Sequence, residues 1–330
     1  MTVRRTLLST VLAVLAVAST ACGGKSREKA LGAAEPALAP SGGPAAAGTV
    51  RLVGAEAEGI VYDPRTKLVA VAVRKPTRLL LLDPTTLAIR RTVPLPGTVR
   101  HLQLARLGGP VLVPCESADS LVEVSLPGGA TRTTKVGRSP HDAGAAADRI
   151  VVGDELGSTL TIVRNGVVER IARDVKQPGG VVGTGSRVAV VDVGAFTVSS
   201  YDVTTGTRTS VAPAGAGPTH GVLTRDDRIA VTDTRGNALL LFGLDPLKQV
   251  TRFALPGAPY GIAADEASNV VWVTLTGRNE VVGLDLSGPA PREIARYPTV
   301  GQPDTVAVAP GGRTLWITGT RAGEVQRITR

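Results

Sequence analysis

Aromatic side chains are scarce in this chain: three Phe, four Tyr and two Trp make up 3% of its 330 residues. A protein that holds single-stranded nucleic acid stacks bases on such rings, so the scarcity argues against that class. Cysteine is scarcer still. Cys22 and Cys115 alone cannot build a disulfide framework. Long runs of like charge are also missing, although the formal net charge is +9. The Arg residues are spread throughout, which reads as a solvated surface rather than a nucleic-acid or anionic-membrane patch. A Gly-x-Ser-x-Gly nucleophile elbow is absent, and no long amphipathic stretch exists to supply the helix it needs. Gly179-Gly180 and Gly183-Thr184-Gly185 open no helix, so they read as turns and not as phosphate cradles.

What is present is short apolar strands. Hydrophobic residues reach 43%, and with so few rings the packing falls to Val, Leu, Ile and Ala. Val and Ile favour strands because their branched Cβ suits a pleated surface. From Gly48 to Arg330 a phrase recurs roughly every 40 residues. Its clearest copy is Pro259-Tyr260-Gly261-Ile262, then Asn269-Val270-Val271-Trp272, then Asn279 through Asp285. A repeat of that size, filled with strands and turn residues, predicts an all-β propeller.

Seven repeats begin near Glu58, Arg100, Pro140, Pro178, Pro218, Pro259 and Pro303, so seven blades are expected. The last repeat has room for three strands only. Thr49-Val50-Arg51-Leu52-Val53 belongs to no complete blade and is expected to close the last one, which removes an unpaired edge. The domains are then 1–21 as a leader, 22–48 as a tether and 49–330 as a seven-bladed β-propeller.

Arg4 and Arg5 precede an apolar stretch, Thr6 to Ala18, and Ser19-Thr20-Ala21-Cys22 follows. This resembles a bacterial lipoprotein signal peptide, with Ser19 where Leu is usual. The resemblance implies a diacylated (palmitate-bearing) Cys22 as mature N-terminus and a membrane anchor on the extracytoplasmic face of the cell membrane. Arg4-Arg5 followed by Thr6-Leu7-Leu8 also resembles a twin-arginine signal. The Ala, Gly and Pro of the segment up to Gly48 cannot bury a core, so a flexible tether is expected. Cys115 lies in the apolar run Val111-Leu112-Val113-Pro114 and reads as a buried strand residue rather than a reactive thiol.

Second-strand phrases such as Trp272-Val273-Thr274, Trp316-Ile317-Thr318 and Val231-Thr232-Asp233 are similar to the YVTN propeller repeat. So are the openings Gly257-Ala258-Pro259-Tyr260-Gly261, Gly217-Pro218-Thr219-His220-Gly221 and Gly301-Gln302-Pro303-Asp304, and the third-strand Asp83, Asp202, Asp245 and Asp285. The resemblance implies architecture more than activity, since such propellers host binding proteins, scaffolds and some enzymes.

In that architecture the blade openings and the turns after the second strands share one face. All three histidines, His101, His141 and His220, fall at blade openings, beside Asp142, Tyr260 and Asp304. The turns contribute Glu116, Asp154, Asp192 and Asp233. Imidazole with carboxylate suits a divalent first-row metal, and the same groups could hold a polar ligand or act as acid and base. The competing account is a solvated rim, because Asp after a strand is an ordinary turn residue. The favoured expectation is a binding or interaction module that holds a protein partner or small ligand on this upper face. The alternative is a metal-assisted enzyme resembling lactonase and antibiotic-lyase propellers; nucleic-acid binding ranks third.

Overall fold

The structure is a computed structural model that describes residues 32–225 and 227–330; the leader and Cys22 lie outside the described residues. One compact unit spans Ala33–Arg330. Its strands form seven four-stranded antiparallel sheets, each a sequential meander apart from the last. In that last sheet Thr49–Leu52 pairs with Glu324–Thr329, in the register Thr49↔Arg327 to Leu52↔Glu324. The expected closure is therefore present, and the seven-bladed all-β fold is as the repeat implied.

The repeat phrase is legible as a set of joints. The Thr of each second-strand phrase donates its hydroxyl to a backbone carbonyl in the next blade's opening. Thr232 reaches Tyr260 O at 2.8 Å, Thr274 reaches Asp304 O at 3.2 Å, and Thr318 reaches Glu58 O at 2.6 Å. All three are fully buried, where an unpaired hydroxyl would be costly. Asp83, Asp202 and Asp285 cap their own turns: Asp83, for example, accepts the N–H groups of Thr85 and Thr86. Asn237, Asn269 and Asn279 take the left-handed turn conformation, with φ of 49°, 54° and 54°, which Asn tolerates better than branched residues.

The core lies between neighbouring blades and is aliphatic, as the composition demands. One cluster joins Leu79 and Leu81 to Val113 and Cys115, and another joins Val191 and Val198 to Ile229 and Leu240. The outermost strands are mostly exposed, as along Ile89–Pro94 and Val167–Ala172. Innermost strands ring a central channel.

Of the 22–48 segment expected as a flexible tether, residues 33–40 run along the face that carries the blade openings. The backbone there is held by long polar side chains. Gln302 accepts from Ala39 N–H at 3.0 Å and donates to Ala37 O at 2.8 Å; Arg321 donates to the carbonyls of Ala39 and Pro40. Thr276 accepts from Ala37 N–H, and Arg235 donates to Ala33 O. Composition alone does not reveal this, because the anchoring groups belong to blades 5 to 7 and not to the segment.

Candidate functional site

The three histidines come together at the upper end of the channel. His101 precedes the short inner strand Gln103–Leu104 of blade 2, His141 opens Pro140–Ala146 of blade 3, and His220 opens Pro218–Thr224 of blade 5. One ring nitrogen from each lies within 4.8 Å of the others. The rings pack at centroid distances of 4.7 Å for His101–His141 and 4.3 Å for His101–His220. All three are buried, with 8%, 5% and 9% exposure. They are thus interior groups, not the water-facing rim that a propeller's loops suggest.

Hydrogen bonding orders the proton positions. His220 Nδ1 donates to the carbonyl of Tyr260 at 3.1 Å. Burial, then the charge on His141, pushes its pKa down to about 3, so the ring is neutral with a bare Nε2. That Nε2 lies 2.8 Å from His101 Nε2. Burial and the neighbouring histidines also hold His101 neutral. His141 differs. Burial opposes its charge, yet Nδ1 sits 3.2 Å from Glu116 and 3.0 Å from Glu155, and the two carboxylates raise its pKa to about 10. Glu155 responds in kind. Burial would raise it, but the His141 bond pulls it to about 2.

Above the histidines lies a layer of charge. Arg74 pairs with Glu58 at 2.8 Å, and Arg100 approaches Glu116 at 3.2 Å and Glu58 at 3.8 Å. Glu35, from the segment along this face, stands 4.0 Å from Arg100. Asp304 is buried beside this layer; burial and the nearby Glu58 charge raise its pKa well above the carboxylate range, and its Oδ2 has no partner. Tyr260 sits edge-on to His220, and burial raises its phenol.

The remaining predicted carboxylates do other work. Asp142 accepts from Gln103 Nε2, from Val181 N–H and from Ala143 N–H. Asp192 collects the N–H groups of Lys176, Gln177, Gly194 and Ala195. Asp233 collects those of Ala216, Gly217 and Gly236. Asp154 accepts the hydroxyls of Thr159 and Thr161. These four tie blade connections together; Asp154, Asp192 and Asp233 stand apart from the histidine group, whereas Asp142 lines the channel with His101 and His220. The charged residues that sequence reasoning did not single out for the site are Glu35, Glu58, Arg74, Arg100 and Glu155.

The donor set fits a first-row transition metal. Three imidazole nitrogens converge, and the outer nitrogens of His141 and His220 are committed to carboxylates and a backbone carbonyl, the arrangement that orients metal-bound histidine. Nitrogen donors in this number do not suit Mg²⁺ or Ca²⁺, which take oxygen.

No protein-family model and no curated protein matches the chain. Among solved structures, hydrazine synthase of Kuenenia stuttgartiensis is similar over 83% of this chain and 96% of its own, at 16% identity and a TM-score of 0.73. Virginiamycin B lyase from Staphylococcus aureus is similar over 86% and 99%, at 16% identity and 0.72. A chain of the mitotic checkpoint complex is similar over 98% and 99%, at 11% identity and 0.73. What this chain shares with proteins of such different roles is the seven-bladed β-propeller.

Proposed function

We propose that the protein is a lipid-anchored, extracytoplasmic propeller of YVTN type that binds one transition-metal ion, Zn²⁺ foremost, through His101, His141 and His220. The observation that carries this reading is the convergence of three buried ring nitrogens within 4.8 Å. Neutral His220 already offers a bare Nε2; His101, whose Nε2–H donates to it, would move that proton to Nδ1, and His141 would release one as the ion binds. Glu116 and Glu155 then orient His141 from outside and balance part of the added charge. Anchoring rests on the signal-like leader and Cys22. No helix among the described residues is long and apolar enough to cross a membrane.

The test is metal content after reconstitution with Zn²⁺. It uses the full chain carrying Cys22→Ser, which removes a thiol that could bind metal by itself. About one equivalent is expected in this parent and almost none in His141→Ala/His220→Ala. A folded parent that takes up no zinc overturns the reading. Separate expression with Cys22 intact is expected to place the protein in the membrane fraction, and Cys22→Ser is expected to release it.

A metal held by three histidines keeps a coordination position for water or a ligand. That position favours a second reading, metal-assisted lysis or hydrolysis, and the likeness to virginiamycin B lyase lends it a fold. Zinc-dependent opening of lactones or depsipeptides, lost in the double variant, would support it.

A further inference from the structure

Below the histidines the channel widens into a cavity of 410 Å³, with His101 and His220 at its inner end. Its walls are the later halves of the innermost strands. Along Pro218–Thr224, residues Pro218, Thr219 and His220 are buried, whereas Gly221, Val222 and Leu223 are half-buried. Pro259–Asp265 repeats the gradient: Pro259, Tyr260 and Gly261 are buried, and Ile262 to Ala264 are half-buried. Val61 and Tyr62 in blade 1, Gly183 in blade 4 and Val308 in blade 7 are half-buried at the same end. The channel therefore opens at the mouth opposite the blade openings. The upper mouth is filled: the Arg74–Glu58–Arg100–Glu116 layer lies over the histidines, and residues 33–40 run along that face with Glu35 toward Arg100.

The lining has a definite charge character. It contains Asp142 and Glu266 and neither Lys nor Arg, in a protein whose net charge is +9. Its other polar groups are the imidazoles, Gln103, Thr305 and the Tyr62 phenol, and the rest is aliphatic, as with Ile60, Val222 and Ile262. A volume of this size, with aliphatic side chains set between convergent polar groups, has the properties of a small-molecule site. Two carboxylates with neither Lys nor Arg in the lining disfavour anions, and the protonated His141 stands behind His101 and is already paired with Glu116 and Glu155.

We infer that this chamber is a ligand site entered from the lower mouth, taking an uncharged or cationic small molecule with an apolar body whose polar end meets the histidines. This goes beyond the metal reading, because the shape of the chamber and the charges of its lining side chains come from the chain alone, and an ion on His101 and His220 would add positive charge at the inner end. It also places the ligand on the opposite side from the upper face that the sequence pointed to.

The test uses matched probes on the full chain: 2-phenylethylamine, 2-phenylethanol and 3-phenylpropionate, followed by saturation-transfer NMR without added metal. The amine and the alcohol are expected to bind, and the propionate at least about tenfold more weakly. Ala263→Trp, which adds bulk in the half-open stretch, is expected to abolish binding. Val308→Trp in the neighbouring blade serves if the first variant does not melt cooperatively. Deletion of residues 33–40 is expected to leave the amine's dissociation constant within about twofold. Binding of the propionate as tight as the amine, failure of all three probes, or retention of binding in a folded Trp variant overturns the inference. So does a large gain on deleting residues 33–40, which would mean that ligands enter from above. Failure of the metal reading shows separately, as a chain that binds these probes but no zinc.

Discussion

Deleting Gly48–Gly54 should cripple the whole ring and not merely fray one end. The strand Thr49–Leu52 buries little of its own: all four residues are exposed, Leu52 by 69%. Its contribution comes from pairing. The four-residue register with Glu324–Thr329 supplies about four ladder hydrogen bonds, worth about 1 kcal/mol each net of water. Val53, 5% exposed, adds about 2 kcal/mol of apolar burial. The sum, about 6 kcal/mol, is comparable with the entire net stability of a typical domain, about 5–15 kcal/mol. With a urea m-value of about 3 kcal/mol/M, the midpoint should fall by about 2 M. Tryptophan emission is the assay of choice, because Trp316 sits in the closing blade and stacks on Tyr62 of blade 1 at 4.4 Å. A permutant that carries Gly48–Gly54 after Arg330 should recover the loss, since the same pairing can then form as a hairpin. A truncated chain that unfolds cooperatively at the parent's midpoint would refute the closure argument.

Other consequences follow from single positions. Burial raises the pKa of Asp154 to about 6 despite the hydroxyls of Thr161 and Thr159, and its Oδ1 has no partner. A raised folded pKa gives stability that is complete below the unfolded value near 4 and lost as pH rises through 6. Parent minus Asp154→Asn stability should therefore fall by up to about 3 kcal/mol between about pH 4 and pH 7, read by paired urea melts; a pH-independent difference would contradict it. Gly261→Ala should cost about 3 kcal/mol, because its Cβ would press on Asp304 O and come within 2.9 Å of Thr305 Cα, both backbone. Gly128→Ala, with nothing within 4 Å, is the near-neutral control in the same thermal melts. Cys115 is buried with its thiol pushed up to about 12 by burial, so in a Cys22→Ser chain a disulfide reagent should label it only on unfolding.

The architecture was legible because each blade solves the same physical problem with the same residue. Thr232, Thr274 and Thr318 recur since each blade must satisfy the backbone of the next, and Asp83, Asp202 and Asp285 recur since each third strand must turn. Even the closing strand could be read by counting what the last blade lacked. The carboxylates were harder. Asp154, Asp192 and Asp233 attracted notice by repeating, and repetition is the mark of a residue that serves the fold.

The site lies where the repeat breaks. Pro140, Pro178, Pro218, Pro259 and Pro303 pair in register with Asp154, Asp192, Asp233, Leu275 and Gly319. The residue after each partner is Glu155, Val193, Thr234, Thr276 and Thr320. Glu155 is the acidic exception, and it is the one bonded to His141. Glu116, which follows the second strand of blade 2, is His141's other carboxylate. Arg74, near the end of the corresponding strand in blade 1, pairs with Glu58 and so holds the charge above the histidines. In a ring of near-equivalent blades, residues that match hold the ring together, and a half-buried charge that departs from the pattern has no such duty. The direction in which the channel opens has no comparable signature. It depends on how seven strand ends and residues 33–40 fill space together, which no single repeat encodes.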